Sequence, residues 1–535
     1  MSGYNNKRGS SDHNLTQSDV TNLVLEYLST KGFTEAETVL KRELSRSADA
    51  ASSSKSGSSS SGASFTRLED LLEKSYVTEF ASGDMFPHKK ARTHLDALLK
   101  PIDADFVDNV KENDSTPEGQ KRTLDMDTQL VNFNPGGDKD PYGSSVMPLY
   151  QTSTFMQPAA DKFGDYDYTR SGNPTRDMLQ LQIANLENSP GARAFCFTTG
   201  MAALTAVSHL VQAGEEIIVN DDSYGGTYRL MSRVAAKQGI SVRYVNMAGK
   251  DGPANLRAAL SVTTRLVMIE SPTNPMQRIC NIRELSSLCH ANDCQNSGGT
   301  LLSIDNTMMS PILQRPLEMG ADIVIHSATK FMAGHSDVMA GVAIVRDKAD
   351  ADSKTLAENL YFYQNAEGTA LAPFDCWLVA RGLKTMALRV RQQQANAVRI
   401  AKWLESVPLI TRVYYAGMES HPDYDIHVNQ ASGGGSVVCF ETGDLELSKH
   451  IVTVTKLFKI TVSFGSVNSL ISLPGNMSHA SIPADIRAAR EFPTDLVRIS
   501  VGIENVEDLL WDLKTAVSSF GTAPVAASSS SDSAT

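Results

Sequence analysis

Five short β-branched, apolar runs recur between residues 216 and 325: Glu216-Ile217-Ile218-Val219, Val242-Arg243-Tyr244-Val245, Leu266-Val267-Met268-Ile269, Leu301-Leu302-Ser303-Ile304 and Ile323-Val324-Ile325. Amphipathic stretches such as Thr227 to Gln238 and Asn281 to Ala291 lie between them. Strands alternating with helices imply right-handed βαβ crossovers and a mostly parallel sheet with helices on both faces. The fold class read here is therefore α/β. Ala194 to Phe197 and Ala340 to Val345 add strands on either side. A long helical stretch, Val379 to Leu404, leads into a smaller α+β unit. That unit holds Ser436 to Phe440, a helix over Leu447 to Phe458, Leu496 to Ser500 and a final helix from Asn505.

At 535 residues the chain exceeds one ordinary domain. We divide it at 16–46, 47–64, 65–126, 127–378, 379–520 and 521–535. In the first piece Leu23, Val24, Tyr27 and Leu28 are separated by Gly32-Phe33 from Ala36, Val39, Leu40 and Glu43, which reads as two short helices about a turn. The pattern resembles a LisH motif, a small dimerisation module and a route to a protein partner. A helical hairpin packed on its own chain is the alternative. Ser52 to Ser61 reads as linker. Leu68, Leu71, Leu72, Val77 and Phe80 carry helical periodicity without assignable chemistry. Pro101 to Asp127 is charged and loose, and the Ser/Ala tail reads as disordered.

A net charge of -12 argues against nonspecific nucleic-acid binding and against an anionic membrane surface. No apolar stretch is long enough to cross a bilayer. The six cysteines are scattered through apparent core segments, which suits free thiols in a reducing compartment. Cys289, His290 and Cys294 lack a second ligand pair, so no metal is expected. Met1 to Asp19 has neither a secretory apolar core nor the acid-free character of a transit peptide. The expectation is a cytoplasmic protein, with a nuclear location also compatible.

The chemistry begins at two strand ends. One run ends in Asp305 and another leads into Ser327-Ala328-Thr329-Lys330. In α/β sheets ligands bind beyond the carboxyl ends of the strands. A lysine amine there can form an imine with the aldehyde of pyridoxal 5′-phosphate (PLP), and a carboxylate can keep the pyridine nitrogen protonated. Alone, Lys330 reads equally as a surface residue after a strand. Thr198-Thr199-Gly200-Met201 opens a helix whose free N–H groups suit an anion. Tyr224, in Asp221-Asp222-Ser223-Tyr224-Gly225-Gly226, can stack on an aromatic ring or simply pack on its loop. Tyr166 to Thr175 is polar and turn-rich, and its Arg170 could clamp a phosphate. Arg498 lies in the apolar strand Leu496 to Ser500, where it requires either a ligand carboxylate or a structural ion-pair partner.

Taken together, Tyr166 to Thr175, Thr199 to Ala203, Asp221 to Gly226, Glu270-Ser271-Pro272-Thr273-Asn274-Pro275, Asp305, Ser327 to Lys330 and Arg498 resemble the Cys/Met-metabolism PLP enzymes. The resemblance covers residues 140–520. It implies the aspartate aminotransferase-like fold type I, with a large PLP-binding domain and a smaller C-terminal domain. It implies that Lys330 holds PLP, Asp305 pairs with the ring nitrogen and Tyr224 stacks on the ring. Gly200, Met201, Ser327 and Thr329 would bind the phosphate. Tyr168 and Arg170 are similar to residues that reach the phosphate of a neighbouring subunit, implying a tetramer built from dimers with shared sites. Arg498, with Ser463 and Asn274, would bind the substrate α-carboxylate.

Asn365-Ala366-Glu367-Gly368, Leu371 to Trp377 and Ser463-Phe464-Gly465-Ser466-Val467 resemble the plant-type cystathionine β-lyase branch. Its implied reaction is β-elimination of L-cystathionine, with Lys330 as the Cα base and Tyr224 as a base for the substrate amine. The γ-type enzymes commonly carry an acid at the position of Asn468, and its absence here favours the β-lyase over γ-lyase or γ-synthase. That branch would also imply a plastid, which the first 19 residues do not suggest. A LisH-bearing scaffold with an inert PLP fold is the alternative from another class. The intact set of Lys330, Asp305, Tyr224 and Arg498 argues against it.

Overall fold

The computed structural model describes residues 124–133, 142–294, 299–346, 351–480, 482–490 and 492–521. The LisH-like segment, the serine linker, the periodic stretch at 65–99 and the tail beyond 521 lie outside the described residues. A first helix, α1 (Met126–Asn132), starts inside the stretch expected to be loose. Asp125 caps it by accepting a hydrogen bond from the Asp127 N–H at 3.0 Å.

The sheet follows from the short apolar runs. Its strands are β1 (Arg193–Phe197), β2 (Glu216–Asn220), β3 (Ser241–Val245), β4 (Thr264–Glu270), β5 (Leu301–Asp305), β6 (Ile323–His326) and β7 (Gly341–Val345), in spatial order β1-β7-β6-β5-β4-β2-β3. The strands run parallel except β7, which is antiparallel to both β1 and β6. Side chains alternate between two buried cores. Ile217, Ile323 and Ile325 enter one, and Ile218 and Val324 the other. Each face is thus sealed, as a parallel sheet requires.

The predicted helix over Val379 to Leu404 is two helices, α8 (Pro373–Leu383) and α9 (Met386–Glu405), following α7 (Ala351–Ala366). The break has a long-range cause. Arg389 turns its guanidinium back onto the carbonyls of Gly382, Phe331 and Met332, at 2.8, 2.8 and 3.2 Å. The helix expected to reach Phe458 also ends early, as α10 (Leu445–Val454), because the Asp512 carboxylate accepts the N–H groups of Lys456 and Leu457.

The smaller sheet runs β10 (Lys459–Ile460), β11 (Leu470–Ser472), β12 (Val497–Ser500), β9 (Val437–Glu441) and β8 (Arg412–Tyr414). Its own core includes Val438, Phe440, Val497 and Ile499 and is closed by α11 (Val506–Ser518). Among the described residues no helix is long and apolar enough to cross a membrane. Cys289 lies in the core, and His290 pairs with Asp322 at 2.9 Å.

Candidate active site

The carboxyl ends of the parallel strands bring the expected residues together. Asp305 is the last residue of β5, and Lys330 follows β6 by a short turn in which its N–H donates to the Ser327 carbonyl at 3.0 Å. Lys330 Nζ donates to Ser463 Oγ at 2.6 Å and lies 4.9 Å from the centre of the Phe464 ring. Burial, with Arg498 nearby, lowers its pKa to about 8. The amine is thus poised to gain or lose a proton near neutrality.

Arg498 is 2% exposed and has no acidic partner among the described residues. Nη1 donates to Asn274 Oδ1 at 2.9 Å, and Nη2 donates to the carbonyls of Val462 and Ser463 at 3.1 and 3.3 Å. Neutral acceptors orient a buried cation without cancelling its charge, so an anion is the missing partner. Ser463, expected beside Arg498 in carboxylate binding, meets both groups: its hydroxyl accepts from Lys330 Nζ and its carbonyl accepts from Arg498.

Asp305 is held on one side only. Oδ1 accepts from the Thr307 N–H at 3.0 Å and from the Thr307 hydroxyl, and Oδ2 has no hydrogen-bond partner among the described residues. Burial raises the pKa of this carboxyl, while the Thr307 hydrogen bonds and His326 oppose that shift. The helix α3 (Gly200–Ser208) begins beside Ser327, because a methyl group on Gly200 would stand 3.1 Å from Ser327 Cβ. Thr199 caps it by accepting from the Ala202 N–H at 3.0 Å. The N–H groups of Gly200 and Met201 keep no partner among the described residues, so donors and a hydroxyl converge. Thr329 is less available than Ser327, since its hydroxyl donates to the Ala340 carbonyl at 3.3 Å and accepts the Ala340 N–H at 2.9 Å.

Tyr224 precedes α4 (Gly225–Arg233), and its ring occupies the space a side chain on Gly226 would need. His479 stands edge-on at 6.3 Å. Burial, with Arg498 nearby, lowers the His479 pKa to about 3, so a neutral ring contacts the Asn274 carbonyl through Nε2 at 3.0 Å.

Glu270 has no role that the sequence alone assigns. It ends β4, in register with Asp305 at the end of β5. Its Oε1 accepts the Tyr224 N–H at 2.7 Å and its Oε2 the Asn274 N–H at 3.3 Å. Burial, then the neighbouring Asp305, pushes this carboxyl well above its usual range. One buried side chain thus ties the aromatic wall to the Arg498 wall. A glutamate ending an apolar strand was the available signal. Thr307 and Phe464 were likewise not singled out.

Three expected residues make no hydrogen bond to this group among the described residues. Tyr168 and Arg170 are exposed, with the guanidinium 5.1 Å from the Tyr168 ring centre and Nε donating to Asn365 Oδ1 at 3.3 Å. Asn468 is also exposed. The nearby acid, Glu504, has both oxygens committed to Ser469, at 2.6 and 2.9 Å.

These groups fit PLP. Lys330 offers an amine for an aldehyde, Asp305 Oδ2 an acceptor for a ring N–H, Tyr224 an aromatic face, and Gly200, Met201 and Ser327 donors for a phosphate. Comparison with known proteins agrees. Residues 127–518 match the family model described as Cys/Met metabolism PLP-dependent enzyme. The chain is 54% identical over 400 residues to the chloroplastic cystathionine beta-lyase of Arabidopsis thaliana, covering 75% of this chain and 82% of the relative. It is 44% identical over 394 residues to the chloroplastic mimosinase of Mimosa pudica, covering 74% and 85%. Among solved structures, cystathionine gamma-lyase from Lactobacillus plantarum, complexed with L-serine, superposes with a TM-score of 0.69 at 36% identity, covering 74% of this chain and 99% of that one.

Proposed function

The chain belongs to the Cys/Met metabolism family of PLP-dependent enzymes, and from that premise we propose that it cleaves L-cystathionine by β-elimination. The products are homocysteine, pyruvate and ammonia, with one water consumed. The observation that carries this reading is Arg498, a buried cation without an acidic partner among the described residues, set beside a lysine amine of pKa about 8. A substrate α-carboxylate placed on Arg498 leaves its Cα in the neighbourhood of Lys330.

When bound, PLP supplies the electron sink that makes the Cα proton removable. It would be held by Lys330, Asp305, Tyr224, Gly200, Met201 and Ser327, with Thr329 bracing the Ser327–Lys330 turn through Ala340. Arg498 and Asn274 fix the α-carboxylate. Lys330 Nζ takes the Cα proton, and Ser463 Oγ holds that amine in place at 2.6 Å. The Cβ–S bond then breaks, and the proton carried by Lys330, or one from the Tyr224 hydroxyl, goes to the leaving thiolate. Tyr224 also exchanges the proton of the substrate amine. Tyr168 and Arg170 act on the phosphate of a second subunit, making the working form an oligomer, a tetramer of paired dimers. Their exposure supports this reading.

The missing acid at Asn468 and the 54% identity to a cystathionine beta-lyase favour β- over γ-elimination. The similarity to a mimosinase makes a different amino-acid substrate the second reading. Incubation with L-cystathionine tests the proposal. Homocysteine with pyruvate is the expected result, abolished in Lys330→Ala together with covalent PLP attachment. Cysteine with 2-oxobutyrate, or no cleavage, would overturn it.

A further inference from the structure

A second cavity, of about 440 Å³, is lined by none of the residues grouped around Lys330. Its lining includes Asp221, just past β2, and Arg278, in the loop after β4. Arg412 on β8, His421, Asp423 and Arg490 line it as well. Three guanidinium groups and two carboxylates therefore share one cavity. Yet among the described residues none of the five forms an ion pair within 4.0 Å.

The arginines are held in place by other means. Arg490 lies 5.5 and 5.3 Å from the ring centres of Tyr228 and Tyr244, and Arg412 lies 4.7 Å from that of Tyr414. Arg278 Nη2 donates to the Arg490 carbonyl at 3.4 Å, keeping two like charges in one neighbourhood. Stacking on rings satisfies the face of a guanidinium and leaves its N–H edge for an anion. Of the two acids, Asp221 accepts the Asp222 N–H at 2.8 Å, whereas the Asp423 carboxylate accepts no hydrogen bond among the described residues. His421 adds no charge. Its Nδ1 accepts the Asp423 N–H at 3.1 Å, its Nε2 meets the Gln277 carbonyl at 2.9 Å, and burial lowers its pKa.

Opposite charges free to collapse together would pair, and separate stations suit a ligand that carries both signs. The lining carries one more positive charge than negative. The volume lies within the range of small-molecule sites. We propose that this cavity is a regulatory site for a small amino acid with two carboxylates, which bind Arg278 with Arg490 and Arg412, while the ammonium binds Asp423.

The site is coupled to the chemistry by one loop. The Thr273 N–H donates to the Arg278 carbonyl, the Gln277 N–H to the Thr273 carbonyl and the Arg278 N–H to Thr273 Oγ1, at 2.9, 3.0 and 2.9 Å. This closed loop presents Arg278 to the cavity and Asn274 to Arg498. Occupancy at one end biases the other, and the coupling is reciprocal.

Calorimetric titration of the PLP-loaded enzyme with L-aspartate, L-glutamate and succinate tests this. L-Aspartate or L-glutamate should bind saturably, and succinate, lacking the ammonium, more weakly. Affinity should fall at least about tenfold in Arg412→Ala and in Asp423→Asn, as for loss of one charge-assisted contact, and persist in Arg498→Ala. Saturating ligand should shift the KM for L-cystathionine in the parent but not in Arg412→Ala. Absence of binding, or binding lost in Arg498→Ala but retained in Arg412→Ala, overturns the site. Binding without a KM shift overturns its regulatory role. Binding is read without turnover, so its failure leaves the lyase reading untouched.

Discussion

Arg498 and Arg170 carry the same guanidinium, and the sequence assigns both to anions, yet the fold treats them in opposite ways. Arg498 is 2% exposed, oriented by three neutral oxygens and surrounded by Lys330, Ser463 and Asn274. Arg170 is exposed, with its guanidinium over the Tyr168 ring and Nε donating to Asn365. On the proposed reading, the difference separates what one chain completes by itself from what it would offer to another. The wall proposed to hold the α-carboxylate is buried and hydrogen-bonded within the chain. The Tyr168–Arg170 arm, proposed to reach a phosphate, is exposed in the chain itself.

The contrast predicts unequal mutational effects. Arg498→Ala should raise the KM for L-cystathionine most, at a cost of about 2–5 kcal/mol of binding for a truncated buried charge contact. PLP binding should survive. Arg170→Ala should do the reverse, weakening PLP retention with little change in thermal stability. An Arg498 variant that loses PLP, or an Arg170 variant that loses only substrate affinity, would break the division of roles. Steady-state kinetics and cofactor titration measure both.

A smaller effect tests how the buried wall is held. Glu270→Ala strands the N–H groups of Tyr224 and Asn274, at about 1–3 kcal/mol for each that stays unsatisfied. The melting temperature of the PLP-free protein should fall, and the substrate KM should rise through Asn274. Glu270→Gln, which retains a carbonyl acceptor, should recover part of both. Equal behaviour of the two variants would remove Glu270 from the positioning role.

The smallest effect is a pH step. Burial and Arg498 lower Lys330 to about 8, so the amine is mostly protonated below that pH and mostly neutral above it. Covalent capture of PLP by the apo-protein should therefore rise as the pH passes about 8. In Arg498→Ala the step should move upward, because a neighbouring positive charge is gone. Mass spectrometry of the borohydride-trapped protein reports it. A step near the ordinary lysine value in the parent would contradict the burial argument.

Much of this was legible in the sequence for a physical reason. Strands sealed on both faces must be short and apolar, so Ile323 to Ile325 and Leu301 to Ile304 are visible as runs, and polar residues at their carboxyl ends stand out. What was hidden depends on distant partners. Arg389 breaks a helix by capturing carbonyls from two segments, and nothing near residue 384 announces it. Glu270 looks ordinary until Tyr224 and Asn274 converge on it. The antiparallel course of β7 is set by its neighbours β1 and β6, not by its own residues. Ser463 acquires its hydroxyl contact with Lys330 only through the packing of the smaller sheet's loop. The segments at 16–46 and 65–99 lie outside the described residues, and the LisH-like reading there rests on sequence pattern alone.

Mixing two variants tests most directly whether the site joins a buried half from one chain to an exposed half from another. Lys330→Ala removes the amine and Arg170→Ala removes the arm, so each alone should form little homocysteine and pyruvate from L-cystathionine. After the two are unfolded and refolded together with PLP, activity should appear at sites that combine an intact Lys330 with an intact Arg170 from the other copy. A mixture no more active than its parents, with hybrid oligomers verified by mass, would contradict the shared site.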